Sequence, residues 1–246
     1  MTLERVLALL EQMGLAENRA LYASHGIAGP SFGVAFGHLR DLAKRVGTSA
    51  PLADALWSTG NHDARILATL VVGERGVTQG RMRAWSGTLD NATVADLFAR
   101  WAWHAKTTRA LSAEWIASPG EWTARAGWMI RALHAIERAD IPDGSFAKDI
   151  GTIEREIGRA KNRVRDAMNM ALIAIGIGRP ALTEEALAAA RRIGTVEVDY
   201  GESGGSLTPV EAAIREGLEQ RERRDAGRVG GKKSAAGKRA AKRKDA

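Results

Sequence analysis

The sequence predicts an all-α fold in which antiparallel helix pairs stack side by side into a curved α–α superhelix. Three observations predict it. Ala, Leu, Arg and Glu dominate the 246 residues, while Phe and Tyr number only four and two, a composition that favours helix over sheet. Apolar residues recur at helical spacing, and short Pro- or Gly-containing breakers separate the helical stretches. The stretches repeat in pattern and not in identity, as happens when each helix pair needs only an apolar face against its neighbours; about a dozen helices of ordinary length are expected.

The first stretch, MTLERVLALLEQMG, is a short apolar run carrying Glu4 and Glu11. An export signal needs a basic start and a longer hydrophobic run, so none is expected here. A helix start follows Pro51, and Val94, Leu97, Phe98 and Trp101 then fall on one helical face. Ser118-Pro119-Gly120-Glu121 reads as a capping box, with an N-cap hydroxyl, Pro at the first helical position and Glu at the third. Further starts follow Pro142 and Pro180. Between them Val164, Ala167, Met168, Ala171, Leu172 and Ile175 make one continuous apolar stripe. The run from Ala171 to Gly178 is too short to span a bilayer, so the expectation is a soluble cytoplasmic protein. Thr195 to Tyr200, TVEVDY, has strand character, but the Gly-rich GESGGSLTP follows it. An ordered loop is expected there, before a last helix from Pro209 to Arg224 opened by a second capping box, Thr208-Pro209-Val210-Glu211.

The net charge is +7, yet eight of the 36 basic residues and only one of the 29 acidic ones lie in 228–246. Residues 1–227 are therefore formally neutral and are read as one helical-repeat domain. The tail over 228–246 has too little apolar surface to offset its ordering entropy and is expected to be disordered. Its Lys232, Lys233, Lys238 and Arg239 suit a polyanion, because each cation placed on a phosphate releases a condensed counterion. A plain solubilising role would need the same composition.

Several chemistries are unsupported. The chain has no Cys, which removes disulfides, thiolate metal sites and thiol nucleophiles. His25, His38, His62, His104 and His134 are scattered singly, with no second His one helical turn away and no H-E-x-x-H, so no metal is expected. No phosphate-cradling glycine motif appears, and no cofactor is expected. Gly201-Glu202-Ser203-Gly204-Gly205 matches the G-x-S-x-G nucleophile elbow, but that arrangement needs its His after the Ser, and the last His is His134.

Six of the seven Trp lie between Arg81 and Arg138. Most are expected in the core, since Trp buries a large area. Basic residues interleave with them from Arg100 to Arg138, however, and aromatic and basic side chains on one wall would suit a nucleic-acid cleft. A second basic concentration includes Arg163 and Arg165, and on their helix Arg163, Asp166 and Met170 project away from the apolar stripe.

Five stretches, taken in order, resemble the DNA alkylation repair (AlkD-like) family of HEAT-like proteins: FGVAFGHLRDLAKRVG (32–47), LADALWSTGNHDARILATLV (52–71), MRAWSGTLDNATVAD (82–96), EWTARAGWMIRAL (121–133) and NRVRDAMNMALIAIGIGRPAL (162–182). VEVDYGESG (196–204) is similar to a KxEVDHGETG-like stretch of one branch. The resemblance covers about residues 25 to 215, and the ordered set is far more specific than any one piece.

This resemblance implies a HEAT-like, ARM-type superhelix, a monomer, whose partner is double-stranded DNA carrying alkylation damage. In the family a Trp, an Asp four residues on and a second Trp on a later helix approach the damaged nucleotide. The matching positions here are Ala92, Asp96 and Met170, so the carboxylate is kept and both aromatic partners are replaced. The implied reaction is hydrolysis of the N-glycosylic bond to an alkylated purine, with Asp96 stabilising developing positive charge or positioning water. The plainer reading of Asp96 is a pair with Arg100 one turn on. Arg125 matches a position that contacts the DNA backbone, and Arg163 and Arg165 are candidates on spacing. Function is thus expected in alkylated-DNA repair, as a DNA glycosylase or as a non-catalytic module that binds DNA structure; stacked helical repeats also serve as protein scaffolds.

Overall fold

The computed structural model describes residues 1–201, 206–207 and 209–224. The calls on Lys232, Lys233, Lys238, Arg239 and the remainder of 228–246 lie outside the described residues, as does Thr208 of the second capping box. Among the described residues the architecture is all-α, with no strand. The helices are α1 (Leu3–Met13), α2 (Ala16–Ser24), α3 (Phe36–Val46), α4 (Ala50–Ser58), α5 (His62–Val71), α6 (Gln79–Ser86), α7 (Ala92–Ala102), α8 (Thr108–Ile116), α9 (Glu121–Glu137), α10 (Asp143–Glu156), α11 (Asn162–Gly178), α12 (Thr183–Ile193) and α13 (210–224).

Consecutive helices pair, as in α4 with α5, α8 with α9 and α11 with α12. The odd helices also pack laterally in an unbroken row, α3 on α5, α5 on α7, α7 on α9 and α9 on α11, whereas comparable lateral packing among the even helices is confined to α10 and α12. A stack that is tighter on one side curves toward that side, which puts α3, α5, α7, α9 and α11 on the concave layer. Two glycines permit close helix–helix approaches. A Cβ at Gly127 would lie 2.8 Å from the Ile116 nitrogen, and one at Gly178 would lie 2.3 Å from the Ala135 carbonyl oxygen. The centre of α9 is thereby pressed on α8, and the end of α11 on α9.

Local signals explain several helix starts. Ser49, Asn61, Thr78 and Asn91 each accept a hydrogen bond from a backbone N–H of the first turn beyond them, satisfying donors that the helix leaves unpaired. Asn91 is 4% exposed, and its Oδ1 accepts from the Val94 N–H at 3.0 Å. Asn91→Ala is expected to cost about 1–2 kcal/mol, read as a shift of the urea midpoint; an unshifted midpoint would show that water caps α7 equally well.

One expectation needs correction. The first capping box does not form: α9 begins at Glu121 with Gly120 as N-cap and no side-chain cap. Ser118 Oγ instead accepts from the Gly120 N–H at 3.1 Å, and the Glu121 carboxylate is taken by the Arg163 N–H of the next repeat at 2.7 Å. Most of the Trp are core, as the large area they bury predicts. Trp57 and Trp85 stack at 4.2 Å and 3°, Trp101 and Phe98 continue the cluster, and Trp57, Trp85, Trp101, Trp115 and Trp128 are all buried.

The buried side chains form two clusters. One runs from Val6 to Ile130 and the other from Ala124 to Ile214. They meet at α9, which gives Ala126 and Ile130 to the first and Ala124 and Trp128 to the second. Buried polar groups tie down the irregular segments. Asp63, fully buried at the start of α5, accepts from the backbone N–H groups of Phe32, Gly33 and Val34 at 2.6, 3.1 and 3.0 Å. Arg179 donates to the carbonyls of His134, Arg138 and Ile141 at the end of α9, a cation placed at the negative end of the helix dipole.

Candidate nucleic-acid interface

Asp96, Arg125 and Asp166 sit in the second turns of α7, α9 and α11, three neighbours in the concave layer. The stacking brings them together although they are far apart in sequence. Arg125 Nε and Nη2 donate to Asp96 Oδ1 and Oδ2, both at 2.8 Å, in the parallel two-bond geometry that a planar guanidinium offers a carboxylate. Its Nη1 donates to Asp166 Oδ2 at 2.6 Å and to the Arg163 carbonyl at 3.1 Å. Arg125 is 5% exposed and Asp166 8%, while the Asp96 side chain keeps 32%.

The electrostatics follow from that burial. Desolvation alone would lower the Arg125 pKa, but the flanking carboxylates outweigh it and hold the guanidinium above its ordinary range. Burial pushes the Asp96 carboxyl up, Arg125 pulls it back, and the nearby Asp166 charge adds to the rise. Tyr200 completes the group from the segment after α12. Its hydroxyl donates to Asp166 Oδ1 at 3.1 Å, and burial followed by the Asp166 charge pushes its pKa up to about 12.

Residues 195–200, which have strand character in sequence, are irregular. They are held by side chains of α11. Asn162 exchanges two hydrogen bonds with the backbone of Asp199, at 2.6 and 2.8 Å, and Arg165 donates to the carbonyls of Ala160 and Glu197 at 2.8 and 3.2 Å. The Arg163 guanidinium lies 4.9 Å from the centroid of the Tyr200 ring.

The predicted site residues therefore separate into groups. Asp96, Arg125, Arg163 and, one turn beyond Asp166, Met170 share one region. Arg125 is not a free phosphate ligand, because it is 5% exposed and four of its five N–H donors are used inside the protein, and Asp96 pairs with Arg125 and not with Arg100. Arg165 holds backbone carbonyls. Met170 is 44% exposed, and Ala92 lies one turn before Asp96. Sequence reasoning missed two members. Asp166, which helical spacing projects away from the apolar stripe, is buried on Arg125, and Tyr200, in a segment the sequence reads only as an ordered loop, joins the site through Asp166; VEVDYGESG is the signal that points to it.

Among the described residues, no group of three or more His, Asp or Glu is placed to hold a metal, and no helix is long and apolar enough to cross a membrane. Fold and site together define an α–α superhelical repeat protein with an ion-paired carboxylate site on its concave layer. The chain belongs to the DNA alkylation repair enzyme family, whose model matches residues 6–205. A solved structure described as belonging to a new family of proteins related to the HEAT-like repeat DNA glycosylases, with affinity for branched DNA structures, superimposes with a TM-score of 0.80 at 26% identity, covering 89% of this chain and 95% of that one. Uncharacterized proteins of Listeria innocua and Listeria monocytogenes are 27% and 26% identical, over 70% and 69% of this chain and 76% and 75% of their own.

Proposed function

We propose that this protein binds DNA along its concave layer as a structure-recognising member of the alkylation repair family, with Asp96 serving chiefly to organise the site. The observation that carries the reading is the two-bond pair of Asp96 with Arg125. A carboxylate whose two oxygens already accept from a buried guanidinium has little charge left to offer a developing oxocarbenium ion. Ala92 and Met170 flank it without the aromatic surface that would hold an extruded nucleotide, and a misplacement of about 1 Å can cost on the order of a hundredfold in rate. The branched-DNA affinity stated for the solved neighbour supports the same reading.

The glycosylase reading keeps one favourable observation, the 32% exposure of the Asp96 side chain. One experiment separates the two. The full chain is mixed with methylated duplex, unmodified duplex and a four-way junction, and both binding and released purine are measured. Tighter binding to the junction than to linear duplex, with release at background, is expected. Release above background that collapses in Asp96→Asn would replace the binding reading with the catalytic one.

A further inference from the structure

The concave layer carries a second feature, a groove of about 670 Å³ between α3, α5 and α7. Its lining includes Phe36 and Arg40 from α3, Leu97, Arg100 and Trp101 from α7, and His104 just past the end of α7. Phe36 is 45% exposed, a large apolar ring left in solvent although its neighbour Leu39 is fully buried. Arg40 and Arg100 are exposed, and neither makes a hydrogen bond or ion pair among the described residues. The arginines around the Asp96 site are otherwise occupied: Arg125 and Arg165 donate within the protein, and Arg163 covers Tyr200. Arg100 lies one turn beyond Asp96 on α7, so the groove continues from the carboxylate site along the same layer. One acid, Glu74, also lines it.

Free guanidinium groups beside an open aromatic face are the two components of a single-strand site. The cations track phosphates, and the ring accepts the face of any base. A base paired within a duplex cannot present its face to a side ring, so Phe36 contributes only when the strand is unpaired. We infer that the Phe36–Arg40–Arg100 groove holds an unpaired DNA strand, the single-stranded arm of a branched or flapped substrate whose duplex part lies on the concave layer. This rests on the DNA-binding reading above and adds a subsite that reading does not require.

The test uses the full chain with two fluorescent probes, a nicked duplex and the same duplex carrying a flap of about ten nucleotides, a length within the span of known single-strand grooves. The parent is expected to bind the flap probe more tightly. Phe36→Ala should weaken flap binding by roughly five- to a hundredfold, the loss of one stacked base, and leave nicked-duplex binding unchanged. Phe36→Trp should retain the preference. Arg40→Ala and Arg100→Ala should each flatten the salt dependence of flap binding by about 0.7 in the log–log slope, the single-strand value per phosphate. Equal binding of the two probes by the parent, or a Phe36→Ala variant that binds the flap like the parent, would overturn the inference and leave DNA binding standing. Absence of binding to either probe would overturn the DNA-binding reading itself. Displacement of the flap by polyglutamate as readily as by a single-stranded oligonucleotide would make the groove a docking site for an acidic peptide and overturn the assignment.

Discussion

Arg125→Ala is expected to destabilise the folded chain by about 3–5 kcal/mol, because it strands buried carboxylate without its counter-ion. The cost follows from position. Arg125 and Asp166 are 5% and 8% exposed, and the guanidinium joins α7, α9 and α11 through Asp96 and Asp166. Arg125→Lys should recover little, since an ammonium cannot make the parallel pair with Asp96 while also reaching Asp166. Asp166→Asn combined with Arg125→Ala should recover part of the loss, because the most deeply buried orphaned charge is then gone. Urea midpoints at neutral pH measure all three. A loss below about 1 kcal/mol for Arg125→Ala would mean that water screens the cluster as it does a surface pair, and Arg125 would again be available to a phosphate.

Acid should unfold the parent protein at a higher pH than the His134→Gln variant, and the difference should develop between pH about 6.5 and about 4. His134 is fully buried in α9, and its Nε2 lies 2.8 Å from the Trp103 carbonyl, an acceptor that assigns the proton of the neutral ring to Nε2. Its Nδ1 is buried with no partner, so protonation would create both a buried charge and an unsatisfied donor. Burial pushes the pKa from 6.5 down to about 4, with the Trp103 carbonyl pulling the other way. A depressed folded value means that the contribution is fully present above the unfolded value and is lost as pH falls through the folded one, about 3 kcal/mol in all. Gln keeps an N–H for the Trp103 carbonyl and does not titrate. Burial also lowers the pKa of His62, so some slope remains in the variant. Parallel stability curves for parent and variant across this window would show that His134 takes up its proton without penalty.

The helical architecture was legible because it is written in local spacing. The stripe from Val164 to Ile175 and the start signalled by Pro51 act within a few residues of themselves, and the structure places helices there. The site was legible only in membership. Asp96, Arg125 and Arg163 were singled out, but their relation spans separations of 29 to 41 residues that no local pattern encodes. The failed capping box has the same origin, since Glu121 answers to Arg163, 42 residues away, and not to its own helix end. TVEVDY reads as strand because Val196 and Val198 alternate with Glu197 and Asp199, yet the carbonyls of Glu197 and Asp199 accept from Arg165 and Asn162 in place of a strand partner.

The meeting of the two cores within α9 bears on how the chain assembles as it is synthesised. All residues of the first cluster lie between Val6 and Ile130, so once α9 has emerged, that half has every apolar partner it needs while α10 to α13 are still to be made. Chains commonly fold N-terminal portions first during synthesis. The face of α9 that carries Ala124, Trp128 and Ala132 stays uncovered until α11 arrives, and α9 then serves as the template on which the later helices condense.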